Sequence, residues 1–275
     1  MPPAAQTRHQ RSRGGAALRF AVARGGTQLV DLHQAAPMRI LFPNPEGAEP
    51  PLAALVNTAG GLAGGDEVSI AVTLDANANA AVSTPAAEKV YRSLGPETRV
   101  ATRLDVASGA TLEWIPQETI LFDGARLDRR IEAVLAPGAR LMMAEMLVFG
   151  RHARGEALQS GSLFDSWRVR RGGRLLWADG LALAEDIRAR LDHPFGFAGA
   201  EAMATLLLAD EAPLEPLREA LREAELAVTI ARPGLLLVRW LGGAAAVRDG
   251  LGSAIRLVRS LAFGLAPVLP RLWTC

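Results

Sequence analysis

Apolar residues recur at every second position along most of the first two thirds of this chain, and that period most restricts its fold. Leu18, Phe20 and Val22 alternate with other residues, as do Val68, Ile70, Val72 and Leu74, and again Val100, Thr102, Leu104 and Val106. Successive side chains of a strand point to opposite faces, so a period of two marks a half-buried strand. Gly, Pro, Asn and Asp separate these runs from about residue 16 to residue 183, which predicts many short strands in a mainly β body. A weak repeat orders them. "ANANAAV" (76–82), "VASGATL" (106–112) and "LAPGARL" (135–141) share a pattern: apolar or Ala, two residues, Gly or Asn, Ala, any residue, apolar. Copies spaced by roughly 30 residues predict a solenoid-like stack of short strands and hairpins, each unit covering its neighbour's apolar face.

The last third changes period. "EAPLEPLREALREAEL" (211–226) puts Leu214, Leu217 and Leu221 on one helical face, with Pro216 near the start and Glu interleaved with Arg. Two strand-like runs follow, "LAVTIAR" (226–232) and "LLLVRWL" (235–241). Val247, Leu251, Ile255 and Val258 then recur at helical spacing. The expected architecture is therefore mainly β with two α-helices in the C-terminal third. It forms a single domain over residues 16–275 after a disordered basic tail at 1–15.

Composition narrows the function classes. Of 275 residues 49% are apolar and 21% charged, which places the chain among globular proteins. Thirty basic residues against twenty-nine acidic ones leave a net charge of +1, so no whole-chain field favours nucleic acid or an anionic membrane. One cysteine, Cys275, leaves no internal disulfide and fits a reducing compartment. The opening MPPAAQTRHQRSR lacks the apolar stretch of a secretory signal. No apolar run approaches the roughly 18 residues of a membrane span. These features lead us to expect a soluble, cytoplasmic protein.

"NTAGGLAGGD" (57–66) carries four glycines and then an acid. A phosphate loop needs Lys and Ser or Thr after its glycines, and here Asp66 and Glu67 follow. A dinucleotide loop must open a helix, whereas "DEVSIAVTLD" alternates as a strand. Two acids would also repel a phosphate. The cluster reads as a tight turn that places Asp66, or as a plain turn with a solvated acid.

The remaining polar constellations are weaker. "TPAAEKVYRS" (84–93) gathers Thr84, Glu88, Lys89, the single tyrosine Tyr91, and Arg92. "LEWIPQETILFDGARLDRR" (112–130) contains a proline, which makes it a bend between two strands with Gln117, Glu118 and Asp123 along one side. "AEMLVFGRHARGEALQSG" (144–161) alternates Arg151, Arg154 and Glu156 around glycines after Glu145. Histidines at 9, 33, 152 and 193 show no metal-ligand spacing, so no permanently bound zinc or nickel is expected. No G-x-S-x-G nucleophile motif occurs.

Five of these stretches, in order, resemble the urease accessory protein family UreD, also called UreH. They are "GGLAGGDEV", "TPAAEKVYRS", "LEWIPQETILFDGA", "FGRHARGE" continuing to "SWRVRRGGRLLWAD", and the terminal "LPRLW". Two departures are "NTA", where a proline pair often stands, and a late helix without the tryptophan of many members. The resemblance implies a β-rich, solenoid-like fold with two helices. It also implies a non-catalytic role in nickel insertion into apo-urease, in complex with the helical UreF and the GTPase UreG. GTP would then belong to the partner and nickel would be bound only in transit. Scattered carboxylates suit an ion that must be released better than imidazole or thiolate cages do.

On this basis Asp66, Glu88 and Glu145 are candidates for nickel transit. Thr84, Tyr91, Gln117, Glu118, Asp123, Arg151, Arg154 and Glu156 are candidates for a polar channel or interface. The late helix offers Val247, Arg248, Leu251, Ile255, Arg256 and Arg259 to a partner. The competing reading is a carbohydrate-active β-solenoid enzyme using Asp66, Glu118 and Asp123, although aromatics amount to only 5%. A third is a structural scaffold without metal. The missing Lys and Ser/Thr give a first prediction: isothermal titration of GTP into the purified chain yields no saturable binding.

Overall fold

The alternating runs do form strands in the computed structural model, which describes residues 11–44, 47 and 49–274. β1 (Arg13–Ala23) and β2 (Gly26–Ala35) make a hairpin, as do β3 (Met38–Leu41) and β4 (Leu52–Asn57). Three coils follow. The first is β5 (Glu67–Leu74), β6 (Asn79–Ser83) and β7 (Glu88–Val90), and the second is β8 (Thr98–Val106), β9 (Thr111–Trp114) and β10 (Thr119–Leu121). In the third, β11 (Arg126–Leu135) leads to the long β12 (Arg140–Arg151), which pairs with both β9 and β10. β13 (Glu156–Ala157) folds back on β12, and β14 (Ser162–Arg171) and β15 (Arg174–Ala184) form a closing hairpin. The remainder is α1 (Ile187–Asp192), β16 (Ala202–Ala209), α2 (Glu215–Glu223), β17 (Val228–Arg232), β18 (Leu235–Gly242) and α3 (Ala244–Leu261). The two helices expected late in the chain are α2 and α3, and α1 is an additional short one. The first strand begins at Arg13, so residues 13–15 belong to the sheet rather than to the expected tail. Residues 1–10 and Cys275 lie outside the described residues.

Two sheets face each other. The first runs β15-β14-β11-β8-β5-β1-β2, with its five central strands parallel; the second runs β17-β18-β16-β12-β9-β6-β4-β3, with β7, β10 and β13 attached. The repeat marks the corners where the chain crosses from the first sheet to the second. Asn77, Gly109 and Gly138 have φ of 62°, 70° and 74°. They occupy the third position of turns closed by Ala78 N–H to Asp75, Ala110 N–H to Ala107 and Ala139 N–H to Ala136, each 3.1 Å. Glycine or asparagine there, with Pro137 before Gly138, is the pattern of a type II turn. The alanine after each is fully buried and stacks under the next coil. Structural equivalence starts at Leu74, which pairs with Val106 and through it with Leu135. The first copy therefore begins two residues earlier than the sequence pattern placed it.

In-register stacking makes continuous apolar rows. Leu18, Val72, Leu104, Ala133 and Val169 pair in turn across the first sheet, and Val82, Trp114, Met143, Leu207 and Leu237 across the second. Both rows are buried between the sheets. β12 and β16 are buried on both faces, because α2 and α3 cover the outer side of the second sheet; their near-continuous apolar runs follow from that. Here one expectation is corrected. Val247, Leu251 and Ile255 pack into this core against the chain's own sheet, and Arg259 is fully buried. They are not free for a partner. Only Arg256 is exposed, while Arg248 is half-buried and ion-paired to Glu118.

Arg259 ties α3 to the coils. Its terminal nitrogens reach Glu49 and donate to the Val268 carbonyl (3.0 Å), and its Nε lies 3.2 Å from buried Glu113 of β9. The guanidinium is shared, so neither Glu113 oxygen receives a hydrogen bond. Burial, opposed by Arg259 and reinforced by Glu49, pushes Glu113 up to about 7. A carboxyl raised in the fold stabilises it fully below its unfolded pKa and loses that contribution as pH rises through the folded value. Unfolding free energy is therefore expected to fall between about pH 5 and about pH 8, by about 1–3 kcal/mol from this group. Glu113→Gln should flatten that slope in urea titrations, and an unchanged slope would show that Glu113 does not titrate there.

Candidate functional site

The glycine turn is built around Asp66. Its Oδ1 accepts from Ser12 N–H (2.8 Å) and its Oδ2 from Ala63 N–H (2.7 Å), and it is buried. Gly64 admits no side chain, since a Cβ would lie 2.0 Å from the Ser93 hydroxyl. The turn docks on the "AEKVYRS" run: Leu62 N–H donates to Lys89, Tyr91 N–H to Leu62, and the Tyr91 hydroxyl to Gly60. Two stretches that carry the family resemblance are thus one structural unit. Asp66 fastens the start of β1 to this turn and does not line the interior cavity described next.

β7, β10 and the second half of β12 form a three-stranded parallel wall. Alternation sends Glu88, Thr119 and Glu145 inward, into a cavity of about 80 Å³ also lined by Thr84, Gln117 and Trp114. Such a space admits several waters. Asn57 Nδ2 donates to both Glu88 oxygens, at 3.0 and 3.1 Å. Burial raises the Glu88 carboxyl above its ordinary value, against the pull of those hydrogen bonds. Gln117 is held by its N–H to the Thr84 hydroxyl (2.9 Å) and by its amide to the Leu272 carbonyl. Trp273 donates to the Ile115 carbonyl at 2.9 Å, so the terminal "LPRLW" is fastened to the proline bend that carries Gln117.

At the inner end of the cavity stands a charged trio. Arg129 binds Asp165 through two nitrogens (3.0 and 2.7 Å) and Glu145 through a third (2.6 Å); Trp114 donates to the other Glu145 oxygen at 2.7 Å. Side chains of all three ions are at least nine-tenths buried. Burial works against the charge on Arg129, and the two carboxylates outweigh it, holding the guanidinium above its ordinary value. Burial likewise raises Glu145, with Arg129 and Trp114 pulling the other way. One cation against two acids leaves the trio with a charge of −1 when all are ionised. Arg129 and Glu145 also line a second cavity, about 150 Å³, which reaches Asp179 and Arg239 between the ends of the two sheets. The trio is the partition between the two spaces.

The other expected residues lie elsewhere. Gln117 and Glu118 point to opposite sides of the proline bend: Glu118 lines an outer groove and pairs with Arg248. Asp123 accepts from Gln159 N–H (3.0 Å), Ser160 N–H (2.9 Å) and the Ser160 hydroxyl, and pairs with Arg92. Burial pushes it up, but these donors and Arg92 hold it below its ordinary value. Glu156 pairs with Arg151, whose guanidinium lies 4.2 Å over Phe122. Asp66, Glu118 and Asp123, the acids of the carbohydrate reading, are held by different partners in three separate places. Arg129, Asp165, Asn57 and Thr119 were missed. The signal was present: Arg129 falls in phase with Leu127 and Ile131, and Asp165 with Leu163 and Trp167, all four buried. A polar residue on the buried phase of a strand is the anomaly to look for. Among the described residues no group of three or more His, Cys, Asp or Glu is placed to hold a metal ion, and no helix is long and apolar enough to cross a membrane.

A family model described as UreD urease accessory protein matches residues 12–274. The urease accessory protein UreD of Granulibacter bethesdensis is 50% identical over 239 residues, covering 85% of this chain and 99% of its own length. That of Magnetococcus marinus is 45% identical over 266 residues, covering 93% and 92%. Urease accessory protein UreD 1 of Methylobacterium radiotolerans is 46% identical over 273 residues, covering 96% and 92%.

Removing the cation of the trio should be costly. Arg129→Met leaves two buried carboxylates uncompensated and is expected to destabilise the fold by about 3–5 kcal/mol, read from the urea midpoint at constant slope. Adding Glu145→Gln should recover part of the loss. A change under about 1 kcal/mol would mean that the acids are not charged in the fold.

Proposed function

The chain belongs to the UreD urease accessory protein family, and from that premise we propose that it is a non-catalytic scaffold in urease maturation. In this reading it joins UreF-like and UreG-like partners on the urease apoprotein and assists nickel insertion. Nickel is cargo, and GTP is bound by the GTPase partner. The observation that carries the transit part is the pair of cavities joined at Arg129, with Glu88 in one and Glu145 in the partition. A divalent cation is strongly hydrated. A cavity with room for several waters, and with the oxygens of Glu88, Thr119 and Glu145 along one side of an otherwise largely apolar lining, would let it keep part of that shell. Carboxylates held largely by side-chain donors can exchange them for a cation, and oxygens without imidazole or thiolate release it again. Arg129 fixes the two acids of the partition until a stronger cation competes for them.

Asp66 has no part in this route, since both of its oxygens are occupied by backbone N–H groups. The route therefore rests on Glu88 and Glu145. Glu145→Gln keeps the shape of the partition and leaves Arg129 matched one to one with Asp165, at the cost of one of the two acceptors that Trp114 and Arg129 use, so the melting temperature is measured beside activity. With urease and its accessory proteins co-expressed, Glu88→Gln and Glu145→Gln are each expected to lower urease activity and nickel content only partly. The double variant should lower both at least tenfold, while a pull-down still recovers the partners. Normal activation by the double variant would refute the transit role, and loss of the partners would assign these acids to the fold.

A further inference from the structure

The wall that carries Glu88, Thr119 and Glu145 inward turns its other face outward, and that face is a groove. Its floor is Tyr91, Ile120, Phe122, Met146 and Val148, in a hollow of about 660 Å³. Tyr91 meets Phe122 edge to face at 5.1 Å, which keeps both rings in place. α3 covers the adjoining strip of the same sheet through β16 and β18. It begins at Ala244, so its first turn forms one side of the groove and the strip over β7 and β10 is left uncovered.

The rim is cationic. It carries Lys89, Arg151, Arg154 and Arg248. Arg151 is matched by Glu156 and Arg248 by Glu118. Among the described residues Lys89 and Arg154 form no ion pair, and both are exposed, which leaves two positive charges beside an apolar floor. A helix with its side chains is about 10 Å across and seats an apolar stripe in a groove of this kind, as α3 does next door. Opposite charge on its flanks would steer and orient it.

We propose that this groove receives an amphipathic helix of a maturation partner, its apolar stripe on Tyr91, Ile120 and Phe122 and its Asp or Glu residues against Lys89 and Arg154. The occupied groove would lie one strand away from Glu88 and Glu145, so the partner would brace the wall of the route. The inference rests on the accessory reading in needing a partner, but it can fail alone.

The test uses the full chain co-expressed with urease and its accessory proteins. A photoreactive p-benzoyl-phenylalanine in place of exposed Ala245 is cross-linked, and the joined peptide is mapped by mass spectrometry. The expected product is a helical, Asp- or Glu-bearing segment of one accessory partner. Lys89→Glu with Arg154→Glu should lower the yield of the purified complex at least tenfold with an unchanged melting temperature. Arg99→Glu, on the outer face of the first sheet, should leave the yield intact. A cross-link to a second copy of this chain, or to a segment without acids, would overturn the proposal, as would an undiminished yield from the double reversal. If urease is activated normally while the groove cross-links to nothing, the groove inference falls and the accessory reading stands. If no partner co-purifies with the unaltered chain, both fall.

Discussion

Glu88, Thr119 and Leu147 stand on one face of a wall a single strand thick, and Lys89, Ile120 and Val148 on the other. Everything proposed for this chain depends on the register that assigns them. A slip of one residue would exchange the faces, moving Glu88 to the surface and Lys89 into the apolar interior. Several features fix the register at once. The type II corners hold the stacked coils level by hydrogen bonds from Thr111 to Ala78 and from Arg140 to Ala110. Leu62, clamped between Lys89 and Tyr91, pins the outer end of β7 to the glycine turn. The glycine-rich stretch and the alanine-rich repeat are thus two halves of one alignment device.

The charged trio is where the fold departs from what packing alone would choose. Arg129 and Asp165 are register partners on adjacent parallel strands, and Glu145 reaches the same guanidinium from the opposite sheet. An apolar trio of similar volume would hold the sheets together as well or better, since burying ions costs about as much as their attraction returns. Packing therefore gives no reason for charge at this point. Under the proposed route the two cavities that meet there would give one, because a passage for a cation would need oxygens in its wall and a counter-charge to keep them from repelling one another while it is empty.

Much of the fold was legible in the sequence because a solenoid writes its period locally. The alternating runs, the corners and the two amphipathic helices are each set by residues within a few positions of one another. Even so, the repeat was read two residues out of place at Asn79, since Asn77 and Asn79 look alike until the positive φ of Asn77 separates them. The destination of α3 was not legible: an apolar stripe states that a helix is covered, not by what. The site was only partly legible for a related reason. Glu88 and Glu145 were found through motif position, but Arg129 and Asp165 are separated by 36 residues, and only the stacking of coils brings them together.

Burial alone does not make a carboxylate available to a passing cation, and Asp66 and Glu145 show why. Both are buried and both have two occupied oxygens. Those of Asp66 accept from backbone N–H groups of Ser12 and Ala63, donors that cannot leave without opening the turn and the first strand. Those of Glu145 accept from the side chains of Arg129 and Trp114, and those of Glu88 from the side chain of Asn57, with one further backbone N–H from Lys89 to Oε1 at 3.1 Å. Side-chain donors change rotamer on the nanosecond scale when exposed and more slowly in a core, whereas a corner of backbone moves only with local unfolding. A cation can therefore compete for Glu145, and for Oε2 of Glu88, at the cost of a side-chain rearrangement, but for Asp66 only at the cost of part of the fold. By this criterion the acid after the glycine turn is structure, and the two acids on the inner face of the wall are the better placed of the three for the proposed route.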